Sequence, residues 1–190
     1  MGAKGDNARA RILECARSLF STKGYCAVTM KDISEASGFS RGGLYRHFAS
    51  TEEIFLEIIH IEQTEAFSRL ENALKEKLSP DSILEGFLRS RMMTLSKPSH
   101  SFDVAVSEFA SNSEKGRKVL IDRANDSVRI LTLLIDNGNK DGVFSCTDPE
   151  STALHILWLL EGLSRHAAII DITDEEIESH IRLIKCLLQK

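Results

Sequence analysis

Apolar side chains recur along this chain at helical spacing almost from end to end. Ile12, Leu13, Ala16, Leu19 and Phe20 fall at i, i+1, i+4, i+7 and i+8, the stripe of an amphipathic helix from about residue 7 to Lys23, stopped by Gly24. Thr29, three residues before Asp32, caps a short second helix that turns Ile33 and Ala36 inward and ends at Gly38. Ser40 opens a third short helix carrying Leu44, Tyr45 and Phe48. Ser50-Thr51-Glu52-Glu53 is a capping box for a long fourth helix reaching Leu78, with Ile54, Phe55, Ile58, Phe67, Leu70 and Leu74 as its stripe.

Ser79-Pro80 places a cap and a first-turn proline at the head of a fifth helix, which runs through Ile83, Leu84, Phe87, Leu88 and Leu95 to the Pro98 region. A sixth spans about Phe102 to Ser111. The seventh, from Glu114 to about Asn137, ends in a turn between Gly138 and Gly142. Asp148-Pro149 starts an eighth helix and Thr173-Asp174-Glu175-Glu176 a ninth. No segment shows sustained strand alternation, so the expected fold is all-α with about nine helices. The expected division is an N-terminal helix-turn-helix domain over residues 1–50 and a larger helical domain over 51–190.

Charge changes this picture because it is uneven. The 190-residue chain carries a net charge of −4, yet residues 1–50 hold 8 Lys+Arg against 4 Asp+Glu, and residues 51–190 hold 16 against 24. A basic first quarter on an acidic chain points to a polyanionic partner for that part alone. The four cysteines form no CxxC and have no His at zinc-finger spacing, so no metal site is expected. Without an apolar leader in MGAKGDNARARILE, a reducing cytoplasm is the expected compartment. No apolar run approaches the roughly 20 residues of a membrane span.

Residues 29–48, TMKDISEASGFSRGGLYRHF, hold the informative chemistry. Two short helices joined by a three-residue turn containing Gly form a helix-turn-helix. Gly38 supplies the left-handed turn residue, Ile33 and Leu44 hold the helices together, and Ser40 caps the second. That leaves Arg41, Gly42, Gly43, Arg46 and His47 on the exposed side near the start of a recognition helix. Two successive glycines cost a short helix about 1 kcal/mol each; close backbone approach to a nucleic acid is one reason to keep them, and a simple loop over 41–43 is the other. Arg9 and Arg11 sit where the helix dipole disfavours cations by about 0.3–1 kcal/mol, a penalty that nearby phosphates would reverse. With Lys4, Lys31, Arg41 and Arg46 they would build a positive face.

The stretch RARILECARSLFSTKGYCAVTMKDISEASGFSRGGLYRHFASTEEIF resembles the DNA-binding domain of the TetR/AcrR family of bacterial transcriptional regulators. Its order is helix, Gly-aromatic, Thr cap, helix, Gly, Ser-x-Gly-x-Leu-Tyr-x-His-Phe and an acidic helix start. The resemblance implies phosphate contacts from Thr29, Tyr45 and His47, and base-facing positions at Lys31, Arg41, Gly42 and Gly43 beside the Ser40 cap and Arg46. Thr51 stands where the family often has Lys, which reduces a phosphate contact there to a hydroxyl and a helix N-terminus.

The eighth helix is apolar on nearly every side and must be covered all round; the ninth, with Ile177, Ile181, Ile184, Leu187 and Leu188, is a suitable neighbour. Two copies of the pair would make an intersubunit four-helix bundle, the homodimer that the resemblance also implies, although a monomer burying the eighth helix internally is the alternative. Phe87, Met92, Met93, Phe102, Phe109 and Trp158, with Arg91, His100, Glu108, His155 and His166 as polar anchors, supply material for a small-molecule pocket, or simply for core. The resemblance favours an effector site among these helices. From the set, Phe87, Arg91, Met92, Phe102, Phe109, His155 and Trp158 are the expected ligand-binding residues.

Phosphate-loop, dinucleotide, zinc-protease and nucleophile-elbow motifs are all missing, and paired acids such as Glu52-Glu53 sit at helix starts where capping accounts for them. Catalysis and bound cofactors are therefore not expected. The expected function is a ligand-responsive repressor that binds a palindromic, double-stranded operator. A helical interaction module without DNA binding is the alternative, and it leaves the basic N-terminal stretch without a purpose.

Overall fold

Side-chain caps and one-sided apolar stripes produce nine helices among the described residues of the computed structural model: α1 (Ala3–Lys23), α2 (Met30–Ser37), α3 (Arg41–Tyr45), α4 (Thr51–Lys75), α5 (Pro80–Leu95), α6 (Phe102–Asn112), α7 (Glu114–Lys140), α8 (Pro149–Ala167) and α9 (Asp174–Leu188). Backbone is described for residues 3–95, 102–167 and 169–189, and side chains for 7–73, 75–93, 102–167 and 169–189. Lys4, Leu74, Leu95, Pro98 and His100, named above, lie outside the described side chains.

The Thr29–Asp32 and Thr173–Glu176 boxes close reciprocally, each hydroxyl accepting from the N3 amide while the N3 carboxylate accepts from the cap amide. Three ends differ from expectation. α1 begins at Ala3, several residues early. α4 stops at Lys75, because Lys77 takes a positive φ of 55° and Leu78 N donates back to Ala73 O. α7 continues through Gly138 to Lys140; Val143 N and Phe144 N both donate to Gly138 O, and a Cβ at Gly138 would overlap the Phe144 ring.

The helices group into two compact units, residues 1–64 with 99–118, and residues 65–98 with 119–190. The first therefore takes in α6 along with the helix-turn-helix. Its core is built from Ile12, Ala16 and Phe20 of α1, Ile33 of α2, Leu44 of α3, Phe55 and Ile58 of α4, and Phe102 and Phe109 of α6. Phe55 is its hub, with ring centroids 4.8 Å from Phe20 and Tyr25, 5.0 Å from Phe102 and 5.3 Å from Phe109. Glu108 on α6 accepts from Cys26 N at 3.3 Å, and its carboxylate fills the place of a Gly24 side chain, which the φ of 80° there also disfavours.

The second unit buries Leu84, Leu88 and Met92 of α5 against Leu131, Leu134 and Ile135 of α7, Ile156 and Leu160 of α8, and Ile177, Ile181 and Ile184 of α9. A charged ladder joins α5 to α9: Lys185 Nζ lies 2.8 Å from Asp81 and 2.9 Å from Glu85, and Arg89 pairs with both Glu85 and Glu178. Hydrogen bonds from Lys185 and Arg89 hold the Glu85 carboxyl below the ordinary carboxylate range, and Arg89 does the same for Glu178. Depressed carboxylates stabilise the fold above the ordinary range and lose that contribution as pH falls through their folded values. Glu178→Gln is thus expected to lower the thermal midpoint at neutral pH, with the gap to wild type closing in acid. A gap independent of pH in parallel melts would contradict the ladder's role.

On α8 the outcome bears on the monomeric alternative. Trp158 on this helix is 60% exposed, so the single chain does not cover α8 all round. Among the described residues no helix is long and apolar enough to cross a membrane, and no cluster of three or more His, Cys, Asp or Glu is placed to hold a metal ion.

Candidate nucleic-acid interface

Three local devices shape the helix-turn-helix. Gly38 ends α2 at φ 75° with its amide donating to Ser34 O at 3.1 Å, a conformation that penalises any Cβ. Within the turn Ser34 Oγ donates to Phe39 O at 2.6 Å. Ser40 Oγ then accepts from Gly43 N at 3.1 Å and fixes the start of α3. Ile33 and Leu44, both fully buried, hold α2 and α3 together, as their spacing predicts.

What this frame presents outward is Arg41, Gly42, Tyr45 and Arg46, with Lys31 on α2 also exposed. Tyr45 is 44% exposed, and the Arg41 guanidinium lies over its ring at 5.7 Å, an i,i+4 pairing that keeps the charge at the surface. Lys31 is within 3.8 Å of Glu35, an exposed pair that water and salt weaken. Gly43 departs from expectation: it is buried, with its amide taken by the Ser40 cap, so only Gly42 of the pair faces outward. Nothing lies within 4 Å of where a Gly42 side chain would begin, leaving its backbone open to an approaching surface.

The residues expected to touch phosphate are held differently from one another. Thr29 is exposed, but its hydroxyl accepts from Asp32 N at 3.2 Å and donates to the Asp32 carboxylate. That carboxyl is held far below its ordinary range, first by the Thr29 hydroxyl and then by Lys23. A phosphate would have to replace a hydrogen bond Thr29 already makes. His47 lies beyond the end of α3, half-buried, its ring edge-on to Phe39 at 6.2 Å. Thr51 is half-buried in the first turn of α4, where Ser50 Oγ accepts from Glu53 N at 3.1 Å and the Glu53 carboxylate accepts from Ala49 N at 2.6 Å.

Arg9 is a correction to the expected positive face. Its guanidinium pairs with Glu57 at 3.1 Å, donates to His47 O at 3.3 Å and lies 4.2 Å from the centre of the Phe48 ring. Glu57 and Phe39 belong to this region and were not singled out by sequence. A signal existed for Arg9: positions 9, 13, 16 and 20 share one helical face, so it stands on the apolar stripe.

The expected ligand-binding residues are divided between the two units. Phe102 and Phe109 belong to the first unit and fill its aromatic hub. Phe87 and Arg91 are half-buried on α5, beside the buried Met92. His155 and Trp158 lie on the exposed side of α8 with rings 5.6 Å apart. A surface depression of about 380 Å³ contains none of them; it is lined by Ser50, Glu52, Leu56, His60 and Lys115, and Lys115 pairs with Glu52 across it.

Residues 12–58 match the family of bacterial regulatory proteins named tetR. Across most of the chain, the HTH-type transcriptional regulator YfiR of Bacillus subtilis is 33% identical over 174 residues, covering 87% of this chain and 82% of the relative. The HTH-type transcriptional regulator QacR of Staphylococcus aureus is 43% identical over 58 residues, 30% of this chain and 31% of QacR. Among solved structures, reduced NemR of Escherichia coli superposes with a TM-score of 0.80 at 19% identity, covering 96% of this chain and 98% of NemR. A regulator from Saccharomonospora viridis, solved in complex with choline, gives 0.77 at 24% identity, with 93% and 94% covered. With a capped recognition helix presenting Arg41, Gly42 and Arg46, and a relative 33% identical over most of both chains, the chain belongs to the tetR family of bacterial regulatory proteins and is a DNA-binding transcriptional regulator.

Proposed function

We propose that this regulator is a cytoplasmic, homodimeric repressor that reads a palindromic operator and is released from it by a small-molecule effector. Residues 1–50 serve as the DNA-reading domain and residues 51–190 as the effector and dimer domain. The observation that carries the proposal is the surface of α3, where a five-residue helix with a Ser cap exposes Arg41, Gly42, Tyr45 and Arg46 together. Arg41 reads a base edge, with Lys31 beside it on α2, and Gly42 allows close backbone approach. Tyr45, His47, Thr29 and the Thr51 helix start bind phosphates, Gly43 and Ser40 acting through the cap they share.

So short a helix spans few base pairs, and two-fold symmetry is the ordinary way to double the site. The exposed apolar side chains Trp158, Leu183 and Leu187 on α8 and α9 supply a surface for the second copy. The α5 group Phe87, Arg91 and Met92 supports an effector site in the second unit, and the choline complex of the S. viridis relative shows that a protein of similar fold holds a small molecule. An effector acts only by binding the released state more tightly.

Arg41→Ala is expected to weaken operator binding by about 1–3 kcal/mol and to relax preference at one base pair in each half-site. Tyr45→Phe is expected to weaken all sequences alike. Competition binding against a set of single-base operator variants checks both. Unchanged preference in Arg41→Ala would remove its assigned role.

A further inference from the structure

We infer that Arg9 is a positioning residue for DNA reading: it ties the end of the recognition helix to α4 and is not itself a phosphate ligand. The inference rests on the DNA-binding reading above. Its ground is the number of elements one guanidinium joins. Arg9 comes from α1; Nη2 meets Glu57 on the second turn of α4 at 3.1 Å; Nη1 donates to His47 O, just past α3, at 3.3 Å; and the flat face covers the Phe48 ring at 4.2 Å.

Inside the turn itself, the amides of His47 and Phe48 both return to Leu44 O, bonds that shape the turn and that Arg9, held on His47 O, braces against α4. Placement on α4 draws on the buried Phe48 ring, on Ala49 N donating to Glu53, and on Arg9. Glu53 and Glu57 stand one helical turn apart, so α4 holds the turn at Ala49 directly and at His47 through Arg9. A planar guanidinium aims two nitrogens at a carboxylate and a carbonyl while its face covers a ring, an arrangement that the point-charge ammonium of Lys does not reproduce. The charge argument agrees. A cation already paired with a carboxylate releases few counterions from DNA, whereas Arg41 and Arg46 are exposed on the reading face.

The experiment titrates the full-length chain with its selected operator duplex, or with mixed-sequence duplex at low salt, over a series of salt concentrations. The variants are Arg9→Ala, Arg9→Lys and the milder Glu57→Gln, which keeps shape and removes charge. Positioning predicts that Arg9→Ala binds about tenfold more weakly, that Arg9→Lys does not restore it, and that Glu57→Gln weakens binding in the same direction. All three keep the wild-type slope of log affinity against log salt. Amide exchange without DNA supplies the second readout, with faster exchange at His47 and Phe48 in Arg9→Ala and Glu57→Gln.

A phosphate contact predicts the reverse: Arg9→Ala lowers the slope by about 0.9 for each phosphate lost, and Glu57→Gln binds as tightly as wild type or tighter. That result, or unchanged exchange at His47 and Phe48, overturns the inference. Failure of the wild-type chain to bind any duplex overturns the DNA reading instead, and the exchange measurement, which needs no DNA, separates the two.

Discussion

Phe55→Ala is expected to destabilise the first unit by about 3–5 kcal/mol, the range for removing a buried ring from a core that cannot collapse around the gap. Phe55 is fully buried, and four aromatic neighbours from α1, the segment after it and α6 surround it with centroids 4.8–5.3 Å away. Each aromatic pair adds about 0.5–1.5 kcal/mol beyond its buried area. The vacated volume stays open because Phe20, Phe102 and Phe109 are each fixed by a helix backbone. Since α2 packs on α1 and α3 on α2, the variant should lose operator binding at temperatures where wild type retains it. The chain has 2 Tyr and 1 Trp; Tyr25 and Tyr45 lie in the first unit and Trp158 in the second. Near-ultraviolet tyrosine signal against temperature therefore follows the affected unit and Trp158 fluorescence the other. A loss under about 1 kcal/mol would mean that the ring cluster is not what holds this unit.

The double variant Trp158→Glu, Leu187→Glu is expected to abolish the dimer and, with it, tight operator binding. Trp158 is 60% and Leu187 61% exposed in the single chain, so both changes leave the monomer's core untouched. In a two-fold interface every substitution counts twice, placing four carboxylates in a surface that desolvates on association. Unpaired buried charge of this kind costs several kcal/mol per ion. Sedimentation should give twice the 21.2 kDa chain mass for wild type and the single mass for the variant. Trp158→Phe should remain dimeric. A double variant that sediments as a dimer would move the interface away from α8 and α9.

Much of this architecture is legible from local chemistry. Thr29 with Asp32 and Thr173 with Glu176 announce helix starts because the reciprocal bonds involve residues only three apart. Gly38 and Ser40 mark the turn for the same reason, and Ile33 and Leu44 read as inward from spacing alone. Side chains whose partners are remote in sequence are not legible in that way. Arg9 reads as one cation of a positive face until Glu57, 48 positions on, is seen beside it. Gly43 reads as exposed because helical spacing does not reveal that the Ser40 cap closes over it. Phe102 and Phe109 share the apolar character of Phe87 and Met92, and spacing cannot tell which of two cores a ring enters; α6 lies against α1, so they join the first. Trp158 belongs to a helix apolar enough to suggest burial on every side, yet a surface left open in one chain has the same composition as a core.

Selection of bound sequences from a random duplex pool, followed by titration of the winning site at two salt concentrations, decides whether this chain is a two-fold symmetric DNA reader. The account predicts an inverted repeat with half-sites about one helical turn apart, bound by two chains, with affinity falling steeply as salt rises. No enrichment, together with no retention on DNA at low salt, would contradict it.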